Sequence, residues 1–481
     1  MTDTIRALAA GFPDVSPDAW QGLALKALSG ADLSALDRRS DDGLERGPVF
    51  FDRPEGTHAV DTAARDLHLP WGMRQTLVDA DPAAANAAAL DDLMGGVSEL
   101  ELRLDPEGAY GLKANDVESL DAALTGVDLS LAPIHLDCLS GQGHHAQLAL
   151  TLFARRRLDG ETLEGGLGLS PIERAARTGE TLAHDSFDKA REIAQLSQAA
   201  FPNLKIFRAD AALAFEAGGS EVQELAVMAA ASAAYMRELL EAGFDADSAA
   251  NAVEARLSAD VDIHLTIAKL RAARRIFARI AESFGASADK RRVSLHATTA
   301  GRMLSASDPW TNLVRNACAG FAAAAGGADA ISIRPLTDAI GRPTGFARRV
   351  ARNLHIMLAE ESHLGKVTDP AAGSYLHETL SDALAEAGWT LFQEIEAEGG
   401  LAEVIGSGWL PSRIAQQRDA RQARVEAGDQ PILGVTQYAD PDPRALETGG
   451  AWPRPADMPE RALSPMRIAA AFETQAEGAA Q

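Results

Sequence analysis

Short apolar runs rich in Leu, Ile and Val alternate with longer stretches rich in Ala, Leu and Arg along most of the chain. The short runs have the length of buried strands, and the longer ones place apolar residues at helical spacing. Strands that alternate with helices of this length are typical of parallel βα units. Because such units follow one another over roughly 330 residues, the pattern predicts an α/β fold, with a (β/α)8 TIM barrel as the first choice. A doubly wound open sheet is the alternative, because the sequence does not mark all eight strands.

The predicted elements divide the chain into three regions. Residues 1–60 are predicted to form an N-terminal arm with a short helix at 20–28, residues 61–400 the barrel, and residues 401–481 a C-terminal extension. The extension has one more helix, at 410–426, and then a tail rich in Pro and Gly. Within the barrel, strands are predicted at 100–104, 127–131, 205–209, 293–298 and 330–335, and helices at 144–157, 186–199, 220–242, 260–284, 308–325, 345–361 and 378–398.

Composition narrows the possible classes of function. Of the 481 residues, 46% are hydrophobic and 24% are charged, as in globular proteins. The net charge of −24 argues against nucleic acids and anionic membranes as partners. No apolar run reaches the roughly 20 residues that cross a bilayer, and two cysteines are too few for a disulfide scaffold. Without a signal-peptide pattern at the N-terminus, these features predict a cytoplasmic protein.

Two short motifs resemble known sites but lack a required residue. Gly166-Leu-Gly-Leu-Ser-Pro171 has a proline where a dinucleotide fingerprint has its third glycine, so it predicts a tight turn with Pro171 at the start of a helix. His377-Glu-Thr-Leu-Ser381 has a serine in place of the second zinc-binding histidine of HExxH. Neither motif predicts a cofactor or metal site.

One long block of the sequence carries a family resemblance. Its segments are His296-Ala-Thr-Thr-Ala-Gly301, Asp308-Pro-Trp-Thr-Asn-Leu-Val-Arg-Asn316, Gly326-Gly-Ala-Asp329, Asp338-Ala-Ile-Gly-Arg-Pro-Thr-Gly-Phe346 and Asp369-Pro-Ala-Ala-Gly-Ser-Tyr375. In this order and spacing the block resembles the methylmalonyl-CoA mutase family. Matches such as Trp71-Gly-Met-Arg74-Gln75 extend the resemblance over roughly residues 15–440.

The resemblance implies a fold and a reaction. Members of the family have a (β/α)8 barrel in which the CoA chain runs along the barrel axis, lined by small polar residues. They are isomerases that rearrange a carbon skeleton through radicals, and the reaction begins with homolysis of adenosylcobalamin in a separate C-terminal domain. The protein binds and orients the substrate and shields the radical.

The departures from the family pattern fall on residues that take part in this chemistry. Leu213 stands where active members have the histidine that holds the thioester carbonyl, and leucine cannot donate a hydrogen bond. Thr76 lies in the segment that supplies a tyrosine between substrate and cofactor, and Ser294 replaces an arginine. Arg334 and Asp338 replace an Asn and a Glu that contact the adenosyl ribose. We therefore predict no catalytic residue in this chain.

The pattern of replacements resembles the small, non-catalytic subunit of the heterodimeric mutases. It predicts a chain that supports the adenosylcobalamin-dependent isomerisation of methylmalonyl-CoA and succinyl-CoA through a large catalytic partner subunit. A cobalamin-binding domain needs on the order of 100 residues, more than follow the family matches, so the cofactor is expected only through that partner. Two alternatives stay open: the active half of a split acyl-CoA mutase that needs a separate cobalamin subunit, and a homodimeric acyl-CoA-binding or regulatory protein.

One further motif resembles a cobalamin ligand. Asp262-Ile-His264-Leu-Thr-Ile267 has an isoleucine where the cobalt-ligating Asp-x-His-x-x-Gly has its glycine. The segment also continues into a predicted helix rather than a loop. The sequence therefore predicts no metal site at His264.

Polar residues at the ends of the predicted strands are candidates for binding a substrate, because barrels place their sites there. A phosphate or carboxylate would meet the guanidinium of Arg334, and an acyl-CoA is the ligand that the resemblance implies. The competing interpretation is that these side chains only fill the barrel with hydrogen bonds. The substrate-binding candidates are Ser294, His296, Thr298, Ser332 and Arg334.

Overall fold

Parallel strands close into a barrel and follow one another around it in their order along the chain. The computed structural model describes residues 11, 16–52, 66, 68–182, 185–453, 458, 459 and 461–473. The strands are β1 (Gly72–Leu77), β2 (Glu99–Leu104), β3 (Ile134–Cys138), β4 (Gly165–Leu169), β5 (Lys205–Asp210), β6 (Val253–Ala259), β7 (Ser294–Thr299) and β8 (Ala330–Ser332). Because β8 also pairs with β1, the predicted (β/α)8 barrel is confirmed and the open sheet is wrong.

Helices cover the outside of the barrel and extend it at both ends of the chain. Those up to β6 are α1 (Pro17–Ala27), α2 (Pro82–Met94), α3 (Val117–Ala123), α4 (Gln142–Arg155), α5 (Pro171–Thr178), α6 (Ser186–Ala200), α7 (Ala212–Glu216), α8 (Glu221–Glu241) and α9 (Ala246–Asn251). The later ones are α10 (Ile263–Ser283), α11 (Thr311–Ala325), α12 (Gly345–Ile356), α13 (Tyr375–Ala397), α14 (Leu401–Gly406) and α15 (Trp409–Glu426). None of the helices in the described ranges has the length and hydropathy of a membrane span.

Two sequence predictions of local structure are wrong. The segment 127–131 is a turn rather than a strand, because the Asp128 carboxylate accepts a hydrogen bond from the Ser130 amide at 3.0 Å. The segment that begins at Gly166 is part of β4 rather than a turn, since its backbone pairs with β3. The prediction that Pro171 opens a helix is confirmed, because α5 begins there.

The strands present apolar side chains to the helices and charged side chains to the barrel axis. In β2, Leu100, Leu102 and Leu104 are fully buried on the helix side. The alternate residues Glu99 and Glu101 belong to the inner face, because successive side chains of a strand point to opposite faces. The hydrophobic core therefore lies between the strands and the helices rather than inside the barrel.

The N-terminal arm contains two parts with different packing. In α1 no residue is buried, and Leu23 is 63% exposed. Further along, Asp41 forms ion pairs with Arg421 and Arg424 of α15, and Arg46 pairs with an aspartate at the start of α10. The second part of the arm is thus held against the barrel, whereas the helix is not.

Residues 461–473, here called the strap, cross the face of the barrel where the strands end. The amides of Leu463, Met466 and Ile468 donate to backbone carbonyls of segments that follow β4, β5 and β7, at 2.8 to 2.9 Å. Leu463 and Ala469 are buried against the barrel. The strap therefore connects segments that lie far apart in the sequence.

Candidate functional site

The start of the barrel axis is occupied by an arginine between two carboxylates. Arg74 of β1 donates to Glu99 of β2 at 2.8 Å and to Glu254 of β6 at 2.9 Å. It also lies 3.0 Å from His135 of β3. Since β6 and β3 are not neighbours of β1, these contacts cross the interior of the barrel.

A second cluster fills the axis one layer closer to the strand ends. Arg256 of β6 donates to Asp210 of β5 at 2.8 Å and lies 3.3 Å from Asp137 of β3. Arg208 of β5 donates to Glu254 at 3.0 Å, which joins the two clusters into one network. We call these connected side chains the axial network: Arg74, Glu99, Glu101, Arg103, His135, Asp137, Arg208, Asp210, Glu254 and Arg256.

The electrostatics of the axial network favour the ionised form of the Glu99 and Asp137 carboxyl groups. Burial alone would raise the pKa of Glu99, but Arg74 and His135 lower it to about 2. Burial would likewise raise the pKa of Asp137, and the arginines around it hold that pKa well below its ordinary range. Charges this deeply buried are tolerated only when each has a close partner of opposite sign. The network is therefore a set of mutually dependent ion pairs.

Glycines in β4 give the network its space. A Cβ atom on Gly166 would lie 2.9 Å from Nδ1 of His135, closer than such atoms approach. A Cβ on Gly168 would instead collide with the backbone carbonyl of Leu136 in β3. Because Gly166 has no side chain, the His135 ring of β3 can extend into the axis.

The structure brings two of the predicted substrate-binding candidates together. Nε2 of His296 lies 2.8 Å from the Ser332 hydroxyl, and both residues are buried. Burial, followed by the charge of Arg74, holds the pKa of His296 well below its ordinary value. The imidazole is therefore neutral. Ser294 and Thr298 are half-buried on the same strand, β7.

Arg334 lies apart from these residues, at the mouth of the barrel. It pairs with Glu216 at 3.2 Å and with Asp338 at 3.0 Å. Its Nε donates to the Thr299 carbonyl at 2.7 Å. A guanidinium with these partners is already committed within the protein, so a ligand phosphate would have to displace one of the carboxylates.

The positions that differ from active mutases have become structural. Leu213 is 3% exposed and belongs to the hydrophobic core. Thr76 donates its hydroxyl to Glu101 at 2.9 Å and so supports the axial network. Ser294 begins β7 and carries no charge. None of these side chains can supply the acid, base or aromatic ring that the family pattern places there.

Adenosylcobalamin is the cofactor that the resemblance implies, and the mouth of this barrel does not fit it. The strap lies across the strand ends with Leu463 and Ala469 buried. Arg334 and Asp338, at positions that contact the adenosyl ribose in the family, bind each other at 3.0 Å. A corrin ring and its adenosyl group would require both features to move, so we derive no step through this cofactor in this chain.

The two histidine motifs that the sequence excluded as metal sites lie next to each other. Nδ1 of His264, in α10, is 3.1 Å from Nε2 of His377, in α13. Asp262 caps α10 by accepting from the Leu265 amide at 3.1 Å, which explains the Asp-x-His spacing without a metal. Across the described part of the chain, no group of three or more His, Cys, Asp or Glu side chains could hold a metal ion.

The sequence analysis missed most of the axial network. The feature of the sequence that indicates this network is the alternation of charged and apolar residues in two strands, Glu99-Leu-Glu-Leu-Arg103 and Val253-Glu-Ala-Arg256. Such alternation places one set of side chains on each face of a strand. In a barrel with helices outside, the charged set must face the axis.

Comparison with known proteins agrees with this architecture. The family described as methylmalonyl-CoA mutase matches residues 65–449. A methylmalonyl-CoA mutase small subunit from Streptomyces virginiae is 38% identical over 90% of this chain and 71% of its own length. The small subunit from Propionibacterium freudenreichii subsp. shermanii is 33% identical over 98% of this chain and 76% of its own length. A probable small subunit from Mycobacterium bovis is 35% identical over 80% of this chain and 62% of its own. The chain belongs to the methylmalonyl-CoA mutase family.

Proposed function

We propose that this chain is the non-catalytic small subunit of a methylmalonyl-CoA mutase and supports a large catalytic subunit that carries adenosylcobalamin. The observation that carries the proposal is the axial network. In the family the axis holds the CoA chain among small polar residues, whereas here four arginines and their carboxylates occupy it. A substrate could enter only by separating buried ion pairs, which would cost several kcal/mol per ion.

The relatives add support for a role as a partner. Three of them are named small subunits of a methylmalonyl-CoA mutase, a name that implies a larger subunit beside them. The substitutions at Thr76, Leu213 and Ser294 support the absence of catalysis in this chain. The predicted candidates Ser294, His296, Thr298, Ser332 and Arg334 stay predictions as ligand contacts, and their packing in the barrel is the competing interpretation.

The exposed helix of the arm is the part of the chain that we propose contacts the large subunit. In α1, Leu23 is 63% exposed and Leu25 is 45% exposed, next to the pair formed by Trp20 and Phe51. A cluster of exposed apolar side chains on one segment is typical of a protein interface. We expect α1 to lie on the partner in the complex.

Co-expression with the large subunit from the same organism tests the proposal. We expect the purified proteins to form a one-to-one complex when weighed by light scattering. A homodimer that does not bind the large subunit would contradict the proposal. It would favour the alternative of an independent acyl-CoA-binding protein, which calorimetry with methylmalonyl-CoA would then examine.

A turnover assay tests the absence of catalysis. The isolated chain, mixed with adenosylcobalamin and methylmalonyl-CoA, should form no succinyl-CoA, because Leu213 and Thr76 cannot replace the family's His and Tyr. Adding a separate cobalamin-binding subunit should not change this result. Steady, cofactor-dependent turnover in either mixture would instead support the active half of a split mutase.

A further inference from the structure

We infer that a cavity between the N-terminal arm, α10, α11 and the C-terminal extension binds a small organic phosphate. The cavity has a volume of about 600 Å³. It lies outside the barrel axis, beside the segments that follow β6 and β7, and so is separate from the axial network. Its arginines are Arg39, Arg46, Arg302, Arg315, Arg421 and Arg424.

The charge of the cavity differs from that of the chain. Six arginines and five carboxylates line it, whereas the chain as a whole has a net charge of −24. Asp262 pairs with Arg46 at 2.7 Å, and Asp260 with Arg302 at 3.0 Å. Concave sites with excess positive charge concentrate anions, because their walls focus the electric field.

Three carboxylates in the cavity hold four of its arginines. Arg421 and Arg424 share the single carboxylate of Asp41, so this group carries one excess positive charge. The other two acidic residues, Glu221 and Asp429, form no ion pair in the described part of the chain. Arg39 and Arg315 have no carboxylate partner among the described residues, so their guanidinium groups are the ones available to a ligand.

Arg315 is the buried cation of the cavity without a carboxylate partner among the described residues. It is 8% exposed, and its hydrogen bonds go to Asn312 Oδ1 at 2.9 Å and the Leu433 carbonyl at 2.6 Å. Burial lowers the pKa of Arg315, and the charges of Asp308 and Glu473 only partly offset this effect. Two hydrogen bonds use two of the five donors of a guanidinium, so donors remain for an anion.

The lining of the cavity also includes exposed apolar side chains. Val261, Val314 and Leu433 line it and are 45%, 60% and 51% exposed. The volume lies within the range of small-molecule pockets, about 300–1,000 Å³, and is too large for phosphate alone. A ligand with a phosphate and a less polar body matches this mixed lining, because arginine forks match phosphate oxygens and the exposed Val and Leu side chains can contact the body.

A cysteine in the cavity provides a readout of occupancy. Cys318, on α11, lines the cavity and is half-buried. The other cysteine of the chain, Cys138, is buried, and burial raises the pKa of its thiol, which keeps it protonated and unreactive. Alkylation of the native protein should therefore label Cys318 first, and a ligand in the cavity should slow that labelling.

Calorimetry and alkylation together test the inference on the purified full chain, with ADP as the probe. ADP should bind at low ionic strength with one site per chain and should slow the labelling of Cys318 by iodoacetamide. Adenosine, which lacks the phosphates, should produce neither effect. Succinate separates a phosphate site from a general dianion site, so succinate that binds as tightly as ADP would contradict the phosphate assignment.

Two substitutions test whether ADP binds in this cavity. Arg315→Gln should weaken ADP binding at least about tenfold, since it removes a buried charge partner. Val314→Glu adds a negative charge at an exposed helix position, where folding should not suffer, and should weaken ADP binding by a similar factor. Val367→Glu, at an exposed valine outside the cavity, is the matched control and should bind like the original chain. If ADP does not bind, or if Val314→Glu binds it unchanged, the inference is wrong, whatever the chain's behaviour toward the large subunit.

Discussion

Inside the barrel, Arg74, Arg103, Arg208 and Arg256 each have a carboxylate oxygen within 3.2 Å, whereas α1 of the arm buries none of its side chains. The first region pairs each of these buried arginines with a carboxylate of the same chain. The second leaves apolar groups in contact with water and gains nothing for stability from them. The comparison shows that the barrel interior pairs its arginines within the chain, whereas α1 buries none of its apolar side chains against the described residues, which is why we propose α1 as the contact with a large subunit.

Removing one carboxylate from the axial network should have the largest effect on stability. Glu254→Gln deprives both Arg74 and Arg208 of a partner inside the barrel. A buried charge left without its partner typically costs about 3–5 kcal/mol. Urea denaturation of the full chain should therefore show a fall of this size in the free energy of unfolding.

A surface ion pair provides the control for this measurement. Glu118 binds Arg155 at 2.9 Å, but its side chain is 74% exposed. Glu118→Gln should lower the free energy of unfolding by less than about 1 kcal/mol, because water screens the pair. If Glu118→Gln and Glu254→Gln lower the free energy of unfolding by equal amounts, the buried ion pairs of the axial network do not depend on one another.

The opposite result is expected for the arm. Leu23→Asp should change the stability of the isolated chain by less than about 0.5 kcal/mol, since an exposed side chain has few contacts to lose. It should weaken association with the large subunit by about 2 kcal/mol, because it places a charge in an apolar interface. Sedimentation of mixed subunits measures the second quantity.

A matched variant separates the arm from the rest of the surface. Leu196, on α6, is 51% exposed and lies outside the arm. Leu196→Asp should leave both stability and association unchanged. If it weakens the complex as much as Leu23→Asp does, the contact is not specific to α1.

The free energy of unfolding, measured as a function of pH, tests the protonation of the buried Glu173. Burial raises the pKa of Glu173 from 4.5 to about 8, so the folded protein holds a proton that the unfolded chain releases. The free energy of unfolding therefore falls as the pH rises between these two values, by about 2 kcal/mol from pH 6 to pH 8. Glu173→Gln mimics the protonated form: its carbonyl oxygen can accept from the Asp210 amide, and its NH2 group can donate to the Tyr235 hydroxyl oxygen. This variant should remove this part of the decrease.

The pH experiment also has an internal comparison. Glu180 is exposed and binds Arg174 at 3.3 Å. Glu180→Gln should reproduce the pH dependence of the original chain. A Glu173→Gln variant whose stability still falls by the full amount would show that other groups release the protons.

Long helices were predictable from the sequence because their apolar spacing extends over many residues. The predicted helix at 186–199 corresponds to α6, Ser186–Ala200, and that at 410–426 to α15, Trp409–Glu426. Strands were harder to predict, since β4 consists of Gly165-Gly-Leu-Gly-Leu169 and has no β-branched residue. Its strand conformation comes from pairing with β3 and from the space that its neighbours require.

The candidate site was predictable only where a single residue decides the chemistry. Leu213 has no hydrogen-bonding group in any fold, so the sequence alone predicts that it cannot take the role of the family's histidine. The axial network was not, because Arg74 and Glu254 are 180 residues apart and meet only after the barrel closes. Likewise, the partners of Arg334 come from two distant segments, the end of α7 and the segment after β8.

The strap has a consequence for the order of assembly. It follows every strand in the sequence, yet its amides at Leu463, Met466 and Ile468 donate to carbonyls of the segments that follow β4, β5 and β7. Those three acceptors reach their final spacing only when the intervening strands have joined. Protection of these three amide hydrogens against exchange with heavy water during refolding therefore reports when the barrel has closed. A hydrogen bond between adjacent strands does not report closure, because it can also form in an open fragment of the barrel.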